Sequence, residues 1–289
     1  VLWPVAVVLI VLSATATIIL SSSSSTWDGR SDATAEGTWE MAEAYAPVLR
    51  FSTGERTFPT PAEYFLDRSS LVDLSGKVIL ERPTPVDLES AGSFLFLDFE
   101  AEDVVSVYES DRSSIITPTV YARVTEAGGA IVLQYWLFYV YNQGELNSHE
   151  GDWEMVQVTL SHDGTRAESV MLSQHHSGSL VPWSELTNVI DGTHPVIIVS
   201  PGSHANYEPG TERLVYGDRA DGLGEEWGPE DYSLVPIGTG AEGNEPSWLR
   251  YKGSWGAPAG SLGGMLGREG PEGPMFREGT KMWSGSDWC

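Results

Sequence analysis

Residues 131–141 read Ile-Val-Leu-Gln-Tyr-Trp-Leu-Phe-Tyr-Val-Tyr, interrupted only by Gln134. A β-branched and aromatic run of this kind, with no polar face, suits a strand buried on both sides. It must therefore lie at the centre of a sheet that other layers cover. Further strands are expected at 48–51, 92–99, 115–125, 153–160, 169–174 and 195–200, each rich in Val, Ile, Tyr, Phe or Trp and bounded by Gly, Pro, Asn or Asp. Within 153–160 the residues alternate, with Trp153, Met155, Gln157 and Thr159 on one face and Glu154, Val156, Val158 and Leu160 on the other. Residues 40–46 read as a short helical turn ended by Pro47, and no helix longer than two turns is expected after residue 50.

This pattern predicts an all-β protein: a single jelly-roll-like β-sandwich over 39–289 with long Gly/Pro/Trp-rich loops. After residue 208 the apolar runs thin out. Trp227, Trp248, Trp255, Trp283 and Trp288 then read as anchors that pin loops and one or two edge strands to the sandwich.

Ahead of this domain, residues 1–20 are long and apolar enough for a helix that crosses a bilayer. They read as a transmembrane anchor, or as a signal segment cut after Ala16 at the small-x-small pattern Ala14-Thr15-Ala16. Ile18, Ile19 and Leu20 carry the apolar run past that site and favour the anchor. Residues 21–38 form a Ser-rich, then acidic, linker. Either reading places the domain outside the cytoplasm: on the extracytoplasmic face of a membrane, or secreted once 1–16 are removed.

Forty-one acidic residues against 16 basic give a net charge of −25, all of it after residue 27. Such a surface repels phosphate backbones and argues against a nucleic-acid partner. The single Cys, at position 289, excludes an internal disulfide framework and a Cys-rich zinc module.

The densest polar stretch, 142–154, follows the apolar strand. Asp152 and Glu154 stand on one face of a strand, and a turn at Gly151 can fold His149 back towards them. An imidazole and two carboxylates that converge make a divalent-cation site, and oxygen-dominated ligation favours Ca²⁺, Mg²⁺ or Mn²⁺ over Zn²⁺. The zinc-protease helix is excluded, since Trp153 stands where its second His belongs. His175, His176, His194 and His204 also fall at strand ends or in the loops beside them. Each taken alone reads as a hydrogen-bonded structural residue; together they suggest one functional rim.

These motifs resemble those of the vacuolar protein sorting-associated protein 62 family. The resemblance runs through Tyr45-Ala46-Pro47-Val48-Leu49-Arg50-Phe51, Gln134-Tyr135-Trp136-Leu137-Phe138-Tyr139, His149-x-Gly151-Asp152-Trp153-Glu154, Gly192-x-His194-Pro195 and Gly202-Ser203-His204-Ala205 to Gly253-Ser254-Trp255-Gly256. More distantly, the chain is similar to the necrosis- and ethylene-inducing-like proteins. Those toxins hold a divalent cation on a β-sandwich through a Gly-His-Arg-His-Asp-Trp-Glu heptad and bind sphingolipid sugar heads. His149, Asp152, Trp153 and Glu154 match that heptad, whereas Glu150 and Gly151 replace its Arg and second His. The resemblance implies a further ligand near Asn142, where the toxins have an acid. Around these ligands, Trp153, Glu150, His175, His176, His194 and His204 are candidates for contacting the bound group or supporting its ligands.

Three functions follow in order. The first is a binder of a divalent cation and a glycan or lipid head group. The second is a metal-independent structural or surface domain. The third is a metal-dependent hydrolase with Glu150, His175 or His176 as base. The balance is against an enzyme.

Overall fold

The computed structural model describes residues 35–143, 148–211, 214–215, 217–238, 245–258 and 269–287. The chain divides into Val1–Asp32 and Ala33–Cys289. The expected anchor or signal segment 1–20, most of the linker 21–38 and Trp288 lie outside the described residues. Among the described residues no helix is long and apolar enough to cross a membrane.

The second unit is mostly β, in sheets of six, five and four strands with no closed barrel. The six-stranded sheet runs Ser233–Pro236, Thr119–Ala127, Ala130–Asn142, His149–Leu160, Ala167–Gln174 and Ser177–Pro182. Its middle is an antiparallel pair in register from Ile131 against Leu160 to Asn142 against His149. Both strands are buried almost throughout, as the apolar run requires. In the five-stranded sheet Val48–Phe51 lies parallel to His194–Val199. Two further parallel pairs, Ser233–Pro236 with Thr119–Ala127 and Ser254–Trp255 with Phe96–Phe99, tie late segments of the chain to early ones.

Both faces of the central pair are packed, and their buried residues join in one hydrophobic cluster. On one face Phe138 and Trp153 pair across the strands with ring centroids 4.9 Å apart, and Trp248 and Trp255 meet Trp153 at 5.5 and 5.4 Å. On the other face Tyr135 donates its hydroxyl to Ala42 O at 2.8 Å and Tyr139 meets His204. Gln134, the one polar residue of the run, is fully buried and satisfied. Its Nε2 donates to Gln157 Oε1 at 3.0 Å and to Met282 O at 2.6 Å, and its Oε1 accepts from Arg123 Nη1 at 3.1 Å. This polar pair holds the last described segment of the chain to the sheet.

Three expectations are corrected. Val104–Arg112 is a nine-residue helix, longer than the two turns allowed after residue 50. Its valines look strand-like, but Asp103 caps it by accepting from Ser106 N at 2.9 Å. The strands expected from 92 and 115 begin at Phe96 and Thr119. The first helix, Ala35–Ala44, starts before the expected domain boundary at 39 and ends ahead of Pro47.

Candidate functional site

The site lies where the central strands meet at Asn142 and His149. Asn142, His149, Asp152 and Glu154 line one cleft of about 740 Å³, together with His175 and His176 from the adjoining hairpin turn. Leu74, Phe94 and Phe96 form an apolar wall, and Arg277 and Glu278 come from the far end of the chain.

The local backbone explains the grouping. Gly151 has φ +59°, and a Cβ on it would stand 2.3 Å from Trp255 O, so only glycine fits. Its left-handed conformation breaks the strand's alternation. Asp152 and Glu154 share one face, as two-residue spacing demands, but Glu150 is turned to the opposite side. There its Oε2 accepts from Phe99 N at 3.0 Å and Ala257 N at 3.3 Å, and burial pushes its carboxyl up to about 8. His149 is held by its Nδ1, which faces Gly151 O at 2.7 Å and Glu150 O at 3.2 Å. An N–H donated to a carbonyl leaves the Nε2 lone pair available, the arrangement common in metal-binding histidines. Burial keeps this ring below the ordinary imidazole value, against the pull of Asp152.

Asp152 is supported from behind. Its Oδ2 meets His204 Nδ1 at 2.9 Å and accepts weakly from Asn142 Nδ2 at 3.4 Å. The other His204 nitrogen, Nε2, lies 3.0 Å from Thr57 Oγ1 and 3.6 Å from Glu55 Oε1. Burial disfavours the charged ring, but Glu55 and Asp152 on either side outweigh it and lift His204 to about 9. Burial likewise opposes ionisation of Asp152, and the His204 hydrogen bond and the charges around it override that. Glu154 differs: burial and the nearby Asp152 charge push it up to about 8, while Ser173 Oγ donates to its Oε2. Ser173 Oγ also accepts from Met155 N at 2.8 Å.

A second hub adjoins the cleft. Asp218 accepts from Ser203 Oγ at 2.6 Å and Tyr207 OH at 2.5 Å, and meets His175 Nε2 at 3.1 Å. His176 pairs with Glu278 at 3.1 Å.

Of the residues expected from sequence, six share the cleft and His204 stands directly behind it. Trp153 does not; it is fully buried on the opposite face in the aromatic core. Glu150 is also on that side. His194 lies at the five-stranded sheet, where its Nδ1 faces Ala46 O at 2.8 Å, in a separate pocket beside Val48 and Glu226. Sequence reasoning missed Glu55, Asp218 and Arg277, which stand in Gly/Arg/Asp-containing loops without a motif.

Among the described residues, no three His, Cys, Asp or Glu side chains are grouped closely enough to hold a metal ion by themselves. The donors' chemistry still fits a divalent cation: a neutral imidazole with a free lone pair, and carboxylates on the same strand face. Given their spacing, any cation there would need water or ligand oxygens to complete its shell.

Fold and site together define a mostly-β protein with an acidic, histidine-bearing cleft at the end of its central strand pair. The chain matches the vacuolar protein sorting-associated protein 62 family over residues 32–259 and belongs to it. No curated protein matches the sequence. Similar solved structures include Necrosis and Ethylene inducing Protein 2 from the causal agent of cocoa's Witches Broom disease, at 18% identity over 68% of this chain and 72% of that one, TM-score 0.35. The non-toxic HaNLP3 protein matches at 16% over 73% and 78%, TM-score 0.40. NLPPya in complex with glucosamine matches at 16% over 74% and 79%, TM-score 0.40.

Proposed function

We propose that the cleft binds a glycan or a sugar-bearing head group through a divalent cation held by His149, Asp152 and Glu154, with Asn142 beside them. The observation that carries this reading is the convergence of those four residues with Phe94 and Phe96 in one cleft of about 740 Å³. A hard cation ligates sugar hydroxyls, and aromatic faces stack on sugar rings. Ca²⁺, Mg²⁺ or Mn²⁺ suits the oxygen-rich set better than Zn²⁺. We also propose that the three sheets pack as a jelly-roll-like sandwich with the cleft at one rim, and that residues 1–20 keep the domain outside the cytoplasm.

The satisfied Asp152–His204–Glu55 network supports a second reading, in which the cluster is structural and metal-independent. The hydrolase reading loses Glu150 as a base, because that carboxyl is turned away from the cleft.

The test is thermal unfolding of chelator-stripped protein with Ca²⁺, Mg²⁺, Mn²⁺ or Zn²⁺. A cation at about 100 times its Kd adds about 2.7 kcal/mol of stability. An upward Tm shift with one ion, absent in Asp152→Ala/Glu154→Ala, is the expected result. A folded protein indifferent to every ion would establish the structural reading instead.

A further inference from the structure

Arg277 is the only Arg or Lys that lines the cleft among the described residues. It is 8% exposed, and its Nε is buried without a hydrogen-bond partner. Asp152, Glu154, Glu269, Glu272 and Glu278 line the same cleft. Among the described residues none of them forms an ion pair with Arg277, although the molecule's other arginine–carboxylate pairs close to 3.8 Å or less. The guanidinium acts on Asp152, Glu154 and Glu272 only through space, making each easier to ionise. The buried Nε has given up water without a replacement, which is costly for a cation that forms no ion pair with the carboxylates around it. Its planar fork matches an oxyanion edge.

We infer that Arg277 is an anion subsite of the cleft, and that the ligand is an acidic sugar or head group whose carboxylate or phosphate seats on the guanidinium. This rests on the glycan reading and narrows it. The His149/Asp152/Glu154 wall would take hydroxyls through a cation, and Arg277, in the same cleft, would take the negative group. A neutral sugar would engage only the first wall.

The experiment is calorimetric titration, in chloride buffer with Ca²⁺, of galactose, galacturonate and inorganic phosphate into the full chain and into Arg277→Gln and Arg277→Lys. Galacturonate is expected to bind about tenfold or more tightly than galactose, the worth of one charge-assisted fork. Arg277→Gln should erase that difference without changing galactose affinity, and Arg277→Lys should keep part of it. Lysine retains the charge, so it carries the comparison should the Gln variant fold poorly. Equal affinity for the two sugars would overturn the subsite and leave the glycan reading intact. Phosphate binding that depends on Arg277, with neither sugar bound, would keep the subsite and sink the glycan reading. No binding of either anion would overturn the subsite outright. Co-sedimentation with phosphatidylcholine vesicles containing phosphatidylinositol, lost in Arg277→Gln, would assign the anion to a lipid; retention of the free acid alone would assign it to a glycan.

Discussion

The imidazole of His204 lies flat on the phenol ring of Tyr139, with centroids 3.7 Å apart and planes 4° from parallel. Stacking fixes the ring plane, so that one nitrogen faces Asp152 and the other faces Thr57 and Glu55. His204 thus serves as the internal counter-charge for two carboxylates. Replacing it with Ala would leave both buried and unpaired, at a cost of about 3–5 kcal/mol. Urea unfolding of His204→Ala checks this; a loss under about 1 kcal/mol would mean that the carboxylates protonate freely and the ring is dispensable.

Gly151 and Gly128 provide a matched pair. Both adopt positive φ, at +59° and +60°, but a Cβ at Gly128 meets nothing within 4 Å whereas one at Gly151 meets Trp255 O at 2.3 Å. Gly128→Ala should cost about 1–2 kcal/mol, the price of left-handed backbone alone. Gly151→Ala should cost clearly more and should also displace Glu150 and His149, weakening cation binding. Equal Tm losses in the two variants would show that the close approach is not limiting.

The Asp218 hub predicts a pH window. Burial raises the Asp218 carboxyl, but hydrogen bonds from His175, Ser203 and Tyr207 hold it below its ordinary value. Stability from Asp218 is therefore present above about pH 4 and lost as pH falls through its lowered folded value. Burial lowers His175, yet Asp218 raises it on balance. That contribution is full below about pH 6.5 and lost as pH rises through the folded value. The stability gap between wild type and Asp218→Asn should peak between about pH 4 and 6.5 and narrow on both sides. A gap that is flat with pH would exclude the ion pair.

Trp153 belongs to the core in this structure, so Trp153→Ala should cost about 3–5 kcal/mol by leaving a cavity among Phe138, Trp248 and Trp255. Cation affinity, measured below the lowered Tm, should change little. A large loss of cation affinity with small destabilisation would return Trp153 to the ligand site.

Much of this was legible in the chain. The run 131–141 reveals the central strand, and the spacing of Asp152 and Glu154 places both on one face, because both signals are local and periodic. Alternation places Trp153 on the face away from Glu154, where the structure has it, and only the heptad match suggests a ligand contact for it. Glu150 is lost for another reason: the left-handed Gly151 turns it away from Asp152, which simple alternation does not foresee. His194 lies at a strand end like the others but belongs to another sheet, which only the parallel pairing of Val48–Phe51 with His194–Val199 reveals. Glu55, Asp218 and Arg277 reach the site through loops, and no periodicity marks a loop residue that is distant in sequence.

The buried Gln134–Gln157 pair reaches beyond the sheet, since Gln134 Nε2 also holds Met282 O and Gln157 Nε2 reaches Gly285 O at 3.4 Å. These contacts anchor the segment that carries Arg277. During synthesis the strand bearing Asp152 and Glu154 is made well before that segment. A nascent or C-terminally clipped chain would hold the acidic wall without the guanidinium opposite it. The cleft would then be complete only once the segment 269–287 has docked, and the selectivity proposed above would report that docking.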